Sequence, residues 1–276
     1  MHGAGNDYIY VDARKGKEKI EEPSSLAIEI SDRHFGIGSD GLVLVMDSEI
    51  ADYRMRMFNA DGSEAGMCGN ASRCVGRYLY EMGITDKTEI SLETKSGIKY
   101  LSLHIENGKA EKISVDMDTP GLEPEQIPVT AQSVKDLIIE TSQGSYTATC
   151  VSMGNPHAVI FIDQDPKDFP VEKIGKEIEV HPLFPEKTNV EFAQIINHNE
   201  IKMRVWERGS GETLACGTGS CATLVAAHLQ GLADRKATIK LLGGDVQIEW
   251  QEDTDRVILT GGATFVFEGN FIVPTL

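Results

Sequence analysis

"RMRMFNADGSEAGMCGNAS", residues 54–72, returns at 202–220 as "KMRVWERGSGETLACGTGS", without a gap and at an offset of 148 residues. Met55 falls on Met203, Arg56 on Arg204, Glu64 on Glu212, Cys68 on Cys216, Gly69 on Gly217 and Ser72 on Ser220; the register still holds where Gly83 meets Gly231. An offset of 149 lays "GNDYIYVD" (5–12) less closely on "GNPHAVIFID" (154–163). A period this long denotes a duplicated domain rather than a stack of short repeats, and 276 residues accommodate two domains of about 100–150 each. The expected boundaries are 1–112, rejoined by a last strand over 263–276, and 113–262, with the crossover around 110–125.

Period and breakers give the coarse structure of each half. "YRMRMFN", "TEISLET", "IKYLSLHI", "KISVDM", "HAVIFI", "VEFAQII", "IKMRVWE", "ATIKLL", "VQIEW", "RVILT" and "TFVFEGNFIV" are expected to be strands. After each Cys-Gly the period changes. "NASRCVGRYLYEMG" sets Cys74, Val75, Tyr78, Leu79 and Met82 at helical spacing and stops at Gly83, and "TGSCATLVAAHLQG" stops at Gly231. Short turns such as "ENGK" and "QEDTD" favour antiparallel pairing. The fold class is therefore α+β: two pseudo-symmetric domains, each a mostly antiparallel sheet wrapped on one long apolar helix. The acidic runs near 17–22 and 164–179 are expected to be solvated surface.

Composition narrows the partners. A net charge of −17 repels phosphate backbones and anionic lipid, so no nucleic acid and no membrane partner is expected. No window approaches 18 apolar residues, and the first residues lack the basic start and apolar centre of a secretion signal, so a cytosolic location is expected. Five cysteines in such a chain do not make a disulfide framework. Cys74, Cys150 and Cys221 fall in packing positions, whereas Cys68 and Cys216 each lie between glycines at the mouth of a helix.

That setting carries chemistry. A free thiol has a pKa of about 8.5, and the unpaired N–H groups and dipole of a helix start are expected to bring it towards 7 or below. The same N–H groups and glycines form an anion cradle for a substrate carboxylate, each donor worth on the order of 3 kcal/mol in oxyanion sites. Two such halves about a pseudo-twofold axis are expected to set one thiol on each face of a small molecule. Inversion of a carbon that bears hydrogen needs a base on one face and an acid on the other. No lysine has a pyridoxal phosphate context, and no glycine-rich loop has the strand–loop–helix order of a nucleotide site, so no cofactor is expected. The spacings C-x5-C and C-x4-C, without H-x3-5-H, count against zinc, and no metal is expected.

"MHGAGNDYIYVD" (1–12), "RHFGIGSDG" (33–41), "FNADGSEAGMCGNASRC" (58–74), "GNPHAVIF" (154–161), "KTNVEF" (187–192) and "ERGSGETLACGTGSCA" (207–222) together resemble the diaminopimelate epimerase family, in order and across nearly the whole chain. The resemblance implies two sheet barrels, each around a central helix, in a homodimer. It implies cofactor-independent conversion of LL-diaminopimelate to the meso form, for lysine and peptidoglycan synthesis. It makes Cys68 and Cys216 the acid/base thiols, with His157 and Glu207 in support, and puts Asn6, Asn59, Gly69, Asn70, Asn155, Asn189, Glu207, Arg208, Gly217 and Thr218 on the substrate. Family members usually carry several residues ahead of the first motif that complete the first strand, whereas this sequence opens at Met1, so a clipped start is expected, bearing on stability there more than on chemistry. In some members a Gln follows the Asp of "GIGSD"; Gly41 stands here, and that contact is not carried over.

Three other functions share parts of this pattern. Proline racemases and hydroxyproline epimerases also use two cysteines, but with a Cys-Gly-His first motif and a longer chain. Phenazine-biosynthesis isomerases lack the cysteine pair. A thiol redox or metal-binding protein would use Cys68 and Cys216 as redox partners and would not exchange an α-hydrogen with solvent.

Overall fold

The computed structural model describes residues 1–17 and 19–272, in two compact units: Met1–Val115 with the segment from Gly262, and Asp116–Gly261. The first unit runs β1 (His2–Gly3), β2 (Asn6–Asp7), β3 (Ile9–Asp12), α1 (Pro23–Ser31), β4 (Gly41–Met46), β5 (Tyr53–Asn59), β6 (Glu64–Ala65), α2 (Gly69–Glu81), β7 (Glu89–Thr94), β8 (Gly97–Glu106) and β9 (Lys109–Asp116). The second runs β10 (Leu137–Thr141), β11 (Gly144–Ser152), β12 (Pro156–Phe161), α3 (Val171–Glu179), β13 (Asn189–Asn197), β14 (Glu200–Glu207), β15 (Gly211–Thr213), α4 (Gly217–Leu229), β16 (Lys236–Leu241), β17 (Gly244–Trp250) and β18 (Val257–Gly261).

The duplication holds at the level of sheet register. Strand order in the first unit is β9-β8-β7-β5-β4-β3 with β6 beside β5, and the second repeats it as β18-β17-β16-β14-β13-β12 with β15 beside β14, then adds β11 and β10. Met57 opposes Ala65 and Phe58 opposes Glu64; Val205 opposes Thr213 and Trp206 opposes Glu212. In each hairpin an arginine reaches across to a glutamate, Arg56 to Glu64 at 2.7 Å and Arg204 to Glu212 at 2.6 Å. Both bonds are bidentate, which fixes the hairpin that delivers the chain to the cysteine.

Most neighbours are antiparallel, and tight turns explain why: Asn107 and Gly108, both at positive φ, close β8 on β9. The parallel pairs arise where a helix intervenes. β3 lies parallel to β4 across α1, and β5 to β7 across α2; β12–β13 and β14–β16 repeat this across α3 and α4. α4 is buried from Gly219 to Ala227, and α2 and α4 end at left-handed Gly83 and Gly231.

Two expectations are corrected. The run 164–179 is not simply solvated surface, because its last part is α3, which sends Val171, Ile174 and Ile178 into a core with Ile139, Phe184 and Phe192. The stretch 264–272 is not a strand: only Thr264 pairs, with His2, after which Phe265 packs against Tyr78 while Val266 and Phe267 are exposed. The end of that expected strand, from residue 273, lies outside the described residues.

Candidate active site

In each unit the hairpin turns the chain so that a cysteine takes the residue position just before the helix. Cys68 and Cys216 cap α2 and α4 in extended conformation, at φ −139°, ψ 122° and φ −119°, ψ 114°. The serine four residues on bonds back to each cysteine carbonyl, Ser72 Oγ at 2.9 Å and Ser220 Oγ at 2.8 Å. The backbone frame is the same twice; the side chains around it differ.

In the first unit, Asn6, Cys68 and Asn70 come together. Cys68 Sγ donates to Asn6 Oδ1 at 3.4 Å, and Asn70 Nδ2 donates to the same oxygen at 3.5 Å. Asn6 is aimed by Asp40, whose Oδ2 accepts from Asn6 Nδ2 at 2.8 Å and from the Asp7 N–H at 3.1 Å. Burial, then the nearby Asp7 carboxylate, holds the Asp40 carboxyl above its ordinary range. Gly69 opens α2 directly after the thiol. Asn59, at the end of β5, bonds elsewhere, its Nδ2 donating to Ser63 Oγ at 3.0 Å. Gly41 has a steric reason: a Cβ there would lie 2.0 Å from the Phe58 carbonyl oxygen.

In the second unit, Asn155, His157, Glu207, Cys216 and Thr218 converge. Cys216 Sγ accepts the Gly219 N–H at 3.4 Å and lies 3.5 Å from Thr218 Oγ1. Asn155 bridges Thr218 Oγ1, at 3.3 Å, to His157 Nε2, at 3.1 Å. Glu207 is held by the Thr213 hydroxyl. Asn189 and Arg208 form a second pair, Asn189 Oδ1 accepting the Arg208 N–H at 2.7 Å, with the guanidinium turned to the Glu186 carbonyl at 2.8 Å. Glu179 of α3 accepts the Gly209 N–H at 3.2 Å, which ties down the turn after Arg208.

The electrostatics correct one expectation. Burial, followed by the Glu207 and Glu191 carboxylates, pushes the Cys216 thiol well above its ordinary range; the Thr218 hydroxyl and the Gly219 N–H pull the other way and lose. Burial also raises the Glu207 carboxyl, against bonds from Thr213 and Cys216. That direction favours the thiol over the thiolate at Cys216. Burial, then the Glu191 carboxylate, pushes the Cys150 thiol up to about 12.

A proton held more tightly in the folded than in the unfolded chain makes stability fall as pH rises past the unfolded thiol value of about 8.5. Between pH 8.5 and 10 Cys150 is expected to account for about 1.5 kcal/mol of that fall. Thermal melts at pH 7.5 and 10 are expected to converge by several degrees in Cys150→Ala relative to the native chain. An equal fall in both would remove the thiol as its cause.

Two site residues were missed in the sequence, Asp40 and Glu191. Both stand in quoted motifs, and Glu191 carried a usable signal: a carboxylate inside the apolar run of β13, whose residues from Asn189 to Ala193 are all buried. Among the described residues no group of three or more His, Cys, Asp or Glu is gathered to hold a metal ion.

The fold is one shared by solved structures. A phenazine biosynthesis protein of the PhzF family from Bacillus anthracis matches with a TM-score of 0.72 at 18% identity, covering 99% of this chain and 95% of its own. Sequence then gives the family. The diaminopimelate epimerase family matches residues 1–122 and 149–266. The curated diaminopimelate epimerase of Methanococcus maripaludis is 57% identical over 271 residues, covering 98% of this chain and 97% of the relative. That of Acetivibrio thermocellus is 56% identical over 273 residues, with 98% and 96% coverage. This chain belongs to the diaminopimelate epimerase family and is an enzyme of the isomerase class. The unmatched interval holds β10 and the start of β11, the strands that have no counterpart in the first unit.

Proposed function

We propose that this chain interconverts LL- and meso-diaminopimelate without a cofactor, Cys68 and Cys216 being the two proton carriers. The observation that carries the reading is the hairpin–cysteine–helix unit built twice in one register, with a thiol at the same backbone position each time. A thiolate takes the α-hydrogen and becomes a thiol; the electron pair left on carbon delocalises into the α-carboxylate. The other thiol gives its proton to the opposite face and becomes a thiolate. The inverted carbon leaves, and exchange with solvent resets the pair. For the reverse isomer the two sulfurs trade roles.

The rest of the site follows from that chemistry. Charge developing on the carboxylate needs donors already in place, and the first-turn N–H groups of α2 and α4, at Gly69, Asn70, Gly217 and Thr218, supply them. Glu207 and His157 support proton movement at Cys216. Asn6, Asn59, Asn155, Asn189 and Arg208 grip the amino acid groups, Arg208 as the partner of a carboxylate. A homodimer in the cytosol, serving lysine and peptidoglycan synthesis and binding neither nucleic acid nor membrane, completes the proposal.

Turnover of LL-diaminopimelate measured beside L-proline and trans-4-hydroxy-L-proline tests it. Conversion of the first alone is expected. Conversion of a proline substrate in its place would move the chain to the rival two-cysteine function.

A further inference from the structure

At the last residue of α3 a buried carboxylate holds two loops at once. Glu179 is 7% exposed. Its Oε2 accepts from Trp206 Nε1 at 2.8 Å, and its Oε1 accepts from Lys187 Nζ at 3.3 Å and from the Gly209 N–H at 3.2 Å. Its main-chain carbonyl accepts the Thr188 N–H at 3.2 Å. Each of the three carboxylate partners is a donor only, which suits an ionised carboxylate, an acceptor only. Burial acts to raise the carboxyl, and the bonds from Trp206, Lys187 and Gly209 outweigh it and leave the group below its ordinary range. The close approach has a cause in the sequence. A Cβ on Gly175 would lie 2.5 Å from Trp206 Cβ, so α3 lies this near β14 because no side chain intervenes, and Glu179, one turn on, falls on the same face.

The repeat supplies the comparison. α1 has nine residues like α3 and also buries its last one, but that residue is Ser31, bonded to the Ser39 hydroxyl at 3.2 Å. In the turn after the hairpin strand, Ala60 stands in the first unit where the offset of 148 residues puts Arg208 in the second. One repeat closes this corner with neither a carboxylate nor an arginine, and the other has both. Burying a carboxylate is unfavourable unless its partners are in place, so its presence beside Arg208 needs a reason. The bonds give one. Trp206 and Gly209 bracket Arg208, and Lys187 and Thr188 lie between Glu186 and Asn189, the two residues to which Arg208 itself bonds.

We propose that Glu179 is a positioning residue for Arg208 and Asn189, joining segments 187–188 and 206–209 so that both side chains start from a fixed backbone. The proposal rests on the reading of Arg208 and Asn189 as groups that grip the substrate, and Glu179 acts through them. An arginine's grip on a carboxylate depends on angle and place. A residue that fixes only that grip changes the binding of ground and transition states alike, so its loss raises KM and spares kcat. A purely structural glutamate would instead lower the folded fraction and leave KM native.

Steady-state kinetics of the full chain on LL-diaminopimelate test it through a double-mutant cycle. Arg208→Gln and Glu179→Gln are each expected to raise KM about 10-fold, with kcat within about threefold, and the double variant is expected to fall well short of the product of the two rises. Glu179→Gln with native KM, or with a rise that multiplies fully with that of Arg208→Gln, would overturn the proposal. Should Glu179→Gln fail to fold, Trp206→Phe removes one donor while keeping the Cβ and Cγ that face Gly175, and the same two outcomes decide. Native KM in Arg208→Gln would remove the grip assigned to Arg208, and the proposal with it. Amide hydrogen exchange gives an answer without substrate: Arg208 and Gly209 are expected to exchange about tenfold faster in either variant of the carboxylate's bonds while α4 keeps its native rates. Unchanged exchange at both would overturn the proposal. If the native chain does not act on diaminopimelate, the substrate reading falls, while the exchange rates still decide what Glu179 holds.

Discussion

Cys68→Ala and Cys216→Ala are each expected to lower the rate of LL-to-meso conversion by about a thousandfold or more with the fold intact. A positioned acid or base is worth about 10²–10⁴ in rate, and inversion uses both in every turnover, so water must stand in for the missing carrier. At position 216 alanine removes one buried atom and the Gly219 N–H bond to it, while the Ser220 bond to the cap carbonyl remains. The two variants should also differ from each other. Each retains one thiol and should still exchange the α-hydrogen of the isomer that thiol addresses, without inverting it. Chiral chromatography gives the first quantity and proton NMR in deuterium oxide the second. Native turnover in either variant would remove that cysteine from the proposed role.

Gly219→Ala is expected to be harmful where a helical Gly→Ala usually helps. Inside a helix the exchange gains about 1 kcal/mol, and Gly76→Ala in α2 should behave that way, since its Cβ would meet Ile113, Leu101 and Leu103 no closer than 3.4 Å. At Gly219 the new atom would lie 2.6 Å from Glu191 Oε1 and 3.3 Å from Cys216 Sγ. Moving the Glu191 carboxylate aside disturbs a fully buried group and its 2.7 Å contact with His157. Overpacking of this kind costs about 1–3 kcal/mol and exceeds the helical gain. Denaturant unfolding should therefore place Gly219→Ala about 2 kcal/mol below native and Gly76→Ala at or slightly above it. Activity should fall only in the former. A stabilised, active Gly219→Ala would mean that the α4 mouth is looser than its geometry.

How far the sequence could carry this depended on which effects were local. The repeat, the two hairpins and the helices that end at Gly83 and Gly231 were legible, because pattern and left-handed glycines act within a few residues. Helix α3 was not. Its acidic face hides a short apolar stripe of Val171, Ile174 and Ile178, and nine residues make a weak signal against a charged background. The C-terminal alternation misled in the opposite direction, since apolar residues at strand spacing need a neighbouring strand, and only Thr264 has one among the described residues. Cys216 gives the clearest case. A helix mouth acts on a thiol by up to about 2 kcal/mol, and that term could be read from "ACGTG". The opposing terms are burial and two carboxylates, and one of them, Glu191, is 25 residues away in sequence and reaches the loop only through strand pairing. Asp40 was hidden for the same reason, standing 34 residues from the Asn6 it aims.

The two-base claim is tested most directly by letting LL-diaminopimelate react in deuterium oxide and stopping it at low conversion. Two single-proton thiols predict that the meso product carries solvent deuterium at the inverted carbon while recovered LL substrate keeps its protium. Deuterium entering recovered substrate as fast as product, or product that retains the substrate's own hydrogen, would mean that one group serves both faces, and the paired role of Cys68 and Cys216 would be lost.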